Sequence, residues 1–255
     1  MTDAVRVTRD GRVATLTLAK PPLNILDLDL LAELDARLEE LAAIDDLQIL
    51  MVRGDGEKAF SAGVSIRDHT ADKLDRMLAG FHGALQRLRA LDAFTIALVH
   101  GHCLGGGMEL ACACDLVLAT ESAHFGQPEI QLGCFPPFAA ALLPRRIGFG
   151  ATLELLLTGR TIDAAEAARL GLVHDVVPPS ALDAHARRLI ETITAQSAVA
   201  TRLAKRAVRA GDELPLAAAI GTAERLYLRE LAASADMTEG IEAFLAKRPP
   251  RWRHR

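Results

Sequence analysis

The sequence predicts an α/β fold with largely parallel strands and a helical C-terminal region. Short apolar runs alternate with segments of helical periodicity through the first half of the chain, and this order implies crossover connections between parallel strands. From Phe138 onward the pattern is mostly helical, interrupted by the apolar segment Leu172–Val177. Because no linker rich in Gly, Ser or Pro separates the halves, we expect one core with an extension. We divide the chain into an α/β core, 1–195, and a helical region, 196–255.

The elements of the first half follow from local patterns. Val5–Val7 and Val13–Leu18 alternate in polarity around Arg9–Gly11, which predicts an antiparallel hairpin with a turn at those residues. Apolar residues at helical spacing predict helices, and continuous apolar runs predict buried strands. The predicted helices are Leu28–Leu41, Asp72–Leu91, Glu109–Cys114 and most of Ala198–Lys247, and the predicted buried strands are Leu47–Val52, Phe94–Val99 and Leu116–Ala119. A strand–strand–helix unit recurs loosely, without a strict short repeat.

Composition argues against several classes of protein. The chain has 255 residues, of which 50% are hydrophobic, and its net charge is −4. Half-apolar composition argues against disorder, and mild acidity without a basic stripe argues against a nucleic-acid partner. No apolar stretch approaches the ~20 residues of a membrane span, and Met1–Arg6 lacks the apolar run of a secretion signal. We therefore expect a cytoplasmic protein with neither a nucleic-acid nor a membrane partner.

The cysteines predict reduced thiols rather than disulfides or a metal site. The chain has four, without a disulfide framework: Cys103, Cys112, Cys114 and Cys134. Nearby His100, His102 and His124 invite a zinc interpretation. The spacing Cys112-Ala-Cys114 is shorter than that of usual zinc knuckles, so we expect small buried side chains and no metal.

Two glycine-containing loops are candidates for ligand binding. Gly101–Gly107 connects an apolar strand to a helix, yet it matches neither the Walker loop nor the dinucleotide fingerprint. Its adjacent glycines and the unpaired N–H groups of the helix start suit an oxyanion hole, and a tight turn explains them equally well. The second loop, Lys58–Ser65, is also rich in small residues. A nucleophilic Ser61 or Ser65 is disfavoured, because the sequence around them fails the nucleophile-elbow pattern.

Two glutamates are candidates for acid–base chemistry. Glu109 follows the triple glycine directly, and Glu129 follows Pro128. Their neighbours are apolar, which predicts partial burial and pKa values shifted toward neutrality. Taken singly, each could be a helix-start or surface acid. Taken with the two loops, the pair predicts acid–base work on a carbonyl compound.

Four sequence blocks, together with Asn24, carry a family resemblance over nearly the whole chain. The blocks are Phe60–Gly63; Gly101–Leu110 with Cys114–Leu116; Phe125–Gly133; and Leu157–Arg160 running on to Gly171–Pro178. By their joint match the chain is identified as a member of the crotonase, or enoyl-CoA hydratase/isomerase, superfamily. The resemblance implies a crotonase-like spiral of repeated ββα units. It also implies a helical C-terminal oligomerisation region that forms trimers, paired into hexamers.

The resemblance further implies a hydro-lyase site for an acyl-CoA thioester. It implies that the N–H groups of Val64 and Gly106 hold the thioester oxygen, and that Glu109 and Glu129 work with water. It implies no metal or redox cofactor, since coenzyme A is part of the substrate. The resemblance also implies that Lys247 is a basic residue near the CoA of a neighbouring subunit. It implies a CoA channel that is lined by Leu23, Ala62, Ser65, Ile66 and Arg67.

Two departures from the family pattern bear on the substrate. Ser65 stands where many hydratases carry Asp, and Phe135–Ala140 replaces a glycine-rich stretch at the acyl pocket wall. Rigid, bulky residues there, Phe135 and Phe138 above all, suit an acyl group other than a plain short chain. With Asp68-His69, these features resemble the cyclohexa-1,5-diene-1-carbonyl-CoA hydratase branch. The alternatives are a straight-chain enoyl-CoA hydratase, an enoyl-CoA isomerase and a non-catalytic CoA-thioester-binding relative. The retained pair of glutamates argues against the isomerase.

Overall fold

Two β-sheets organise the computed structural model, which describes residues 3–254. The larger sheet has six strands in the order β1-β2-β3-β5-β7-β10, and the smaller has four in the order β4-β6-β8-β9. All neighbouring strands are parallel except the pairs β1–β2 and β8–β9. The strands are β1 (Val5–Asp10), β2 (Val13–Leu18), β3 (Ile49–Gly54), β4 (Ala59–Ser61), β5 (Phe94–Val99), β6 (His102–Leu104), β7 (Leu116–Thr120), β8 (His124–Gly126), β9 (Thr161–Asp163) and β10 (Asp175–Val177).

Helices connect the strands and form most of the second half of the chain. The α-helices are α1 (Leu28–Ala42), α2 (Leu74–Ala90), α3 (Gly106–Ala113), α4 (Pro137–Ile147), α5 (Phe149–Thr158), α6 (Ala164–Arg169), α7 (Leu182–Thr194), α8 (Ala198–Glu213), α9 (Leu216–Leu226) and α10 (Ala235–Leu245). Short 3₁₀ helices span Ile66–Asp68, Pro128–Leu132 and Pro179–Ala181, and a π-helical turn spans Tyr227–Leu231. No helix among residues 3–254 combines the length and apolarity that crossing a membrane requires.

The ββα unit recurs in the topology, which confirms the predicted fold class. β3-β4-α2 and β5-β6-α3 each place their first strand in the larger sheet and their second strand in the smaller one. β7 and β8 repeat the placement of the two strands. Each repeat therefore advances the chain by one strand in both sheets. The result is a spiral in which the turns that follow β4, β6 and β8 lie side by side.

Sequence periodicity predicted the long elements and missed the short ones. The predicted turn at Arg9–Gly11 is wrong at two of its three residues, because Arg9 and Asp10 belong to β1 and the tight turn is Gly11-Arg12. The smaller sheet was not predicted, since its three-residue strands are too short to show alternation. The predicted division between residues 195 and 196 falls between α7 and α8, and it stays a prediction.

The core lies on both faces of the larger sheet. One face packs against α1, α2 and α3 in a single large apolar cluster. On the other face Ile49, Ile96 and Leu118 pack against Leu182 and other residues of α7. Because both faces of the larger sheet are covered, its central strands are continuous apolar runs in the sequence. The C-terminal helices form a separate small cluster around Val199, Leu203 and Leu226.

Asn24 ties the segment before α1 to the start of the smaller sheet. Its side chain is fully buried, and its Nδ2 donates to the carbonyl oxygens of Asp55, Ala59 and Phe60 at 2.9–3.1 Å. Its Oδ1 accepts from the N–H of Lys20 at 3.0 Å. A buried carbonyl left without its donor costs about 1–3 kcal/mol, so this one side chain holds the β3–β4 connection against the neighbouring loop.

Candidate active site

The two glycine-containing loops meet at one cavity of about 470 Å³. Each predicted loop contains a short strand that the sequence did not show, β4 within Lys58–Ser65 and β6 within Gly101–Gly107. Because β4 and β6 are neighbouring parallel strands of the smaller sheet, the turns that follow them emerge at the same edge. The remaining walls come from one face of α2, from the 3₁₀ helix Pro128–Leu132 and from residues 133–137. Both predicted glutamates and both predicted loops line this cavity.

Two backbone N–H groups lie next to each other where the loops touch. A Cβ added to Gly106 would lie 2.6 Å from Val64 Cγ2 and 3.2 Å from the Val64 nitrogen, and one added to Gly63 would lie 2.8 Å from the Leu104 carbonyl oxygen, so the two glycines favour this close approach. Within residues 3–254, neither the Val64 N–H nor the Gly106 N–H donates to another group. Gly106 is also the first residue of α3, whose positive dipole end favours negative charge. The pair can stabilise an oxyanion.

Glu109 is held almost entirely out of water. It lies in the first turn of α3, its residue is 4% exposed, and its Oε1 accepts from the Ala139 N–H at 2.7 Å. Burial raises the pKa of Glu109 to about 8; the charge of Glu129 adds to the rise, while the N–H groups of Ala139 and Phe138 oppose it. A carboxyl group with such a pKa can exchange protons near neutral pH.

Glu129 faces the same cavity from a different element. It is half-buried in the 3₁₀ helix that begins at Pro128, and a Cβ on Gly105 would lie 2.6 Å from its Oε1. Burial raises its pKa, opposed by its own backbone and by His69. With the amide nitrogen of the buried Gln127 turned toward it, Gln127 donates to Oε2 at 3.1 Å and to Oε1 at 3.3 Å. Gln127 therefore orients the carboxylate.

The other predicted substrate-binding residues divide into two groups. Ala62, Ile66 and Phe135 line the cavity, with Ile66 and Phe135 about two-thirds exposed at its rim. Leu23 is not in the described lining, and its carbonyl oxygen accepts from the Ala62 N–H at 2.9 Å. Leu23 thereby fixes the position of the loop that contains Ala62 and does not form part of the described cavity wall.

Ser65, Arg67, Phe138 and Lys247 are also absent from the described lining. Ser65 precedes the 3₁₀ helix Ile66–Asp68, and Arg67 points into solvent. The prediction that Phe138 forms the wall needs correction: Pro137 begins α4, and the Phe138 ring turns inward, 6.2 Å from the His82 ring. Lys247 is exposed beyond the end of α10.

Sequence reasoning missed the contribution of α2 and its histidine. Leu74, Met77, Leu78, Phe81 and His82 recur at helical spacing and line the cavity as one face. His82 is the polar member of this face; its Nε2 is buried without a hydrogen-bond partner, and burial lowers its pKa. The helical spacing was visible in the sequence, but nothing in it showed which face met the cavity. No group of three or more His, Cys, Asp or Glu side chains within residues 3–254 is arranged to hold a metal ion.

Comparison with known proteins gives full-length matches. A family model described as "Enoyl-CoA hydratase/isomerase" matches residues 8–255. The chain is similar to the cyclohexa-1,5-dienecarbonyl-CoA hydratase of Thauera aromatica, at 39% identity over 98% of this chain and 96% of that protein. It is 34% identical to the short-chain-enoyl-CoA hydratase of Clostridium acetobutylicum over 96% of this chain and 95% of that protein. The crystal structure of an enoyl-CoA hydratase from Bacillus anthracis superposes with a TM-score of 0.93 at 32% identity, covering 99% of this chain and 100% of that chain.

The burial of Glu109 predicts a pH-dependent stability difference. The folded chain retains this proton to about pH 8, whereas the unfolded chain releases it near pH 4.5. The contribution of Glu109 to the free energy of unfolding is therefore present below pH 4.5 and is lost as the pH rises to 8. Glu109→Gln stays neutral, so its stability relative to the unmodified protein should rise by roughly 3 kcal/mol between pH 5 and 8. Urea unfolding at several pH values measures this difference.

The matched control is Glu57→Gln, since Glu57 is exposed in a turn. Its stability difference from the unmodified protein should not change with pH. A pH-independent difference for Glu109→Gln would mean that Glu109 titrates as an ordinary exposed carboxyl.

Proposed function

The chain belongs to the enoyl-CoA hydratase/isomerase family, and we propose that it adds water to the conjugated double bond of an acyl-CoA thioester. It is an enzyme of the enoyl-CoA hydratase type. The observation that carries the proposal is the pair of glutamates, buried Glu109 and half-buried Glu129, that face one cavity beside two backbone N–H groups unpaired within residues 3–254. A binding-only relative would have no use for two carboxyl groups desolvated at one cavity.

The two N–H groups supply the electrostatic part of the reaction. When hydroxide adds to the double bond, negative charge develops on the thioester oxygen. The N–H groups of Val64 and Gly106, preorganised by the contact between their loops, would donate to that oxygen. Each such donor contributes up to roughly 3–4 kcal/mol to transition-state stabilisation. The start of α3 adds the positive end of its dipole.

The two glutamates supply the proton transfers. Glu109 would take a proton from water as the hydroxyl group bonds to the β-carbon, and Glu129 would give a proton to the α-carbon. In the empty cavity the more deeply buried Glu109 keeps its proton at neutral pH. Bound water that donates to the Glu109 carboxylate favours its charged form, so the proton passes to Glu129 before the addition. The addition leaves the proton on Glu109 and leaves Glu129 ionised, which restores the starting state. The step as proposed needs no metal or redox cofactor.

For the acyl group we propose cyclohexa-1,5-diene-1-carbonyl-CoA. The Thauera aromatica relative, whose name states that substrate, is 39% identical over nearly the whole chain. Phe135, Pro136 and Pro137 line the cavity shortly after the 3₁₀ helix that carries Glu129, and the two proline rings restrict the backbone of this wall. A rigid ring suits such a wall better than a mobile chain, and it presents its double bonds in fixed geometry. The inward-turned Phe138 supports the wall from behind.

For the assembly we propose a trimer, which could pair into a hexamer. The C-terminal helices expose large apolar side chains that a monomer would leave in water; Leu216, Leu228, Phe244 and Leu245 are 76, 68, 83 and 76% exposed. Packing of this surface on a neighbouring copy would bury them. In such an assembly Lys247, exposed just beyond α10, is available to the phosphates of a CoA bound in the neighbouring subunit.

The glutamate mechanism predicts the effect of two isosteric substitutions. Glu109→Gln and Glu129→Gln should each lower kcat at least ~10²-fold while leaving CoA binding nearly unchanged, because each removes a proton exchange and keeps the side-chain shape. Steady-state hydration assays and CoA titration measure the two quantities, with Glu57→Gln as control. A near-normal rate in either variant would remove that residue from the mechanism. Loss of activity in only one of the two variants would favour an isomerase.

The ring proposal predicts a substrate preference and the residue that carries it. The enzyme should show a higher kcat/KM for cyclohexa-1,5-diene-1-carbonyl-CoA than for crotonyl-CoA. Phe135→Ala should narrow that gap, because it removes an aromatic wall, whereas Phe138→Ala should change it less. Phe149→Ala, an exposed phenylalanine outside the described cavity lining, is the matched control. Faster hydration of crotonyl-CoA would reject the ring and leave the general hydratase proposal intact.

The assembly proposal predicts the mass in solution. Light scattering at micromolar concentration should give three or six times the chain mass of 27.3 kDa. A monomeric mass would refute the trimer and leave Lys247 without a neighbouring CoA.

A further inference from the structure

A second cavity, of about 550 Å³, lies at the opposite edge of the larger sheet from the candidate active site. Its wall includes Phe94, the first residue of β5, and Asp115, which immediately precedes β7. The loops of the active site come after the other ends of the parallel strands β3 and β5. The full length of these strands therefore separates the two cavities, and the second one is not part of the CoA site.

The walls of this cavity carry an excess of positive charge. Four cations line it, Arg89, Arg146, Lys205 and Arg209, against the two acids Asp115 and Asp212. The chain as a whole has a net charge of −4, so this concentration of cations is local.

Two of the four cations have partners within the protein. The ammonium group of Lys205 lies 2.5 Å from Asp115 Oδ2 and 2.5 Å from the Ala93 carbonyl oxygen. The guanidinium of Arg146 donates to the carbonyl oxygens of Cys112 and Cys114, which end α3. These two side chains therefore hold the structure together.

Among the described residues, the guanidinium groups of Arg89 and Arg209 form only loose ion pairs, Arg89 with Asp212 and Glu213 and Arg209 with Asp115. Within residues 3–254 neither donates a hydrogen bond, and their nearest carboxylate oxygens lie 3.7–3.8 Å away. The acid nearest Arg209 is Asp115, which already accepts from Thr95 and pairs with Lys205. Both arginine side chains are only about one-fifth exposed, at 21 and 22%.

Arg89 also lies near two other positive charges, those of Arg146 and Arg209. Burial lowers the pKa of Arg89, and the charges of Arg146 and Arg209 lower it further, ahead of the opposing effects of Asp212 and Glu213. Two partly desolvated guanidinium groups that make no direct hydrogen bond within residues 3–254 therefore have N–H donors available to an anionic ligand.

We propose that this cavity binds a small dianion, a phosphate or a dicarboxylate, between Arg89 and Arg209. Each guanidinium presents paired N–H donors whose geometry matches two oxygens of one anionic group. The apolar residues Ile193, Ala204 and Val208 on the same walls would contact the carbon part of the ligand. The proposal is independent of the hydratase reaction, because no residue among 3–254 lines both cavities.

The test is thermal unfolding and calorimetric titration of the whole protein with inorganic phosphate, pyrophosphate and succinate, at ionic strength matched with KCl. We expect a saturable rise in Tm with at least one of them. Response to the phosphates alone identifies a phosphate site, and response to succinate alone identifies a dicarboxylate site. Arg89→Gln and Arg209→Gln should each weaken binding at least tenfold. Arg187→Gln, an exposed arginine on α7, should leave it unchanged.

The same two substitutions should also change the thermal stability of the protein when no ligand is added. Removing either charge relieves the repulsion in the empty cavity, so both Gln variants should unfold at a higher temperature than the unmodified protein. Three results overturn the proposal: no saturable response to any of the three anions, an equal response to KCl, or unchanged binding in both Gln variants.

Discussion

The contact between two backbones, at Val64 and at Gly106, is the constraint on which the candidate active site depends. A Cβ on Gly63 would lie 2.8 Å from the Leu104 carbonyl oxygen and 3.1 Å from the Gly106 nitrogen, so a side chain there would force apart the loops after β4 and β6. Their approach leaves two N–H donors side by side and unpaired within the described residues. The ββα spiral brings this contact about, since it places β4 and β6 next to each other and starts α3 at Gly106 itself.

The same contact determines where the carboxyl groups lie. Starting α3 at Gly106 puts Glu109 one turn later, under the N–H of Ala139 and out of water. Gly105, whose missing side chain leaves room for Oε1, lets Glu129 reach the same cavity from β8's side. Desolvation then raises both pKa values toward the range in which protons exchange at neutral pH. The geometry of the donors and the chemistry of the acids thus have one structural origin.

The larger sheet separates two polar sites, one built around carboxyl groups and the other around guanidinium groups. At one edge, burial raises the pKa values of two carboxyl groups beside a cavity with an apolar α2 wall. At the other, arginines keep their charge through the high basicity of guanidinium, in a cavity whose described walls also carry Lys205 and the acids Asp115 and Asp212. α3 spans the distance between them, with Gly106 at its first residue and the carbonyl oxygens held by Arg146 at its end.

The sequence by itself determined the long elements, the family resemblance and the two glutamates, because helical periodicity, continuous apolar runs and joined sequence blocks are local properties of the chain. It could not show the three-residue strands of the smaller sheet, which exist only because neighbouring repeats pair with them. It also could not show that Phe138 lies beside His82, that Gln127 orients Glu129, or that Arg89 and Arg209 form only loose ion pairs at 3.7–3.8 Å within the described part of the chain. Those features depend on residues far apart in sequence, and only tertiary packing decides which side chains meet and which are left without a partner.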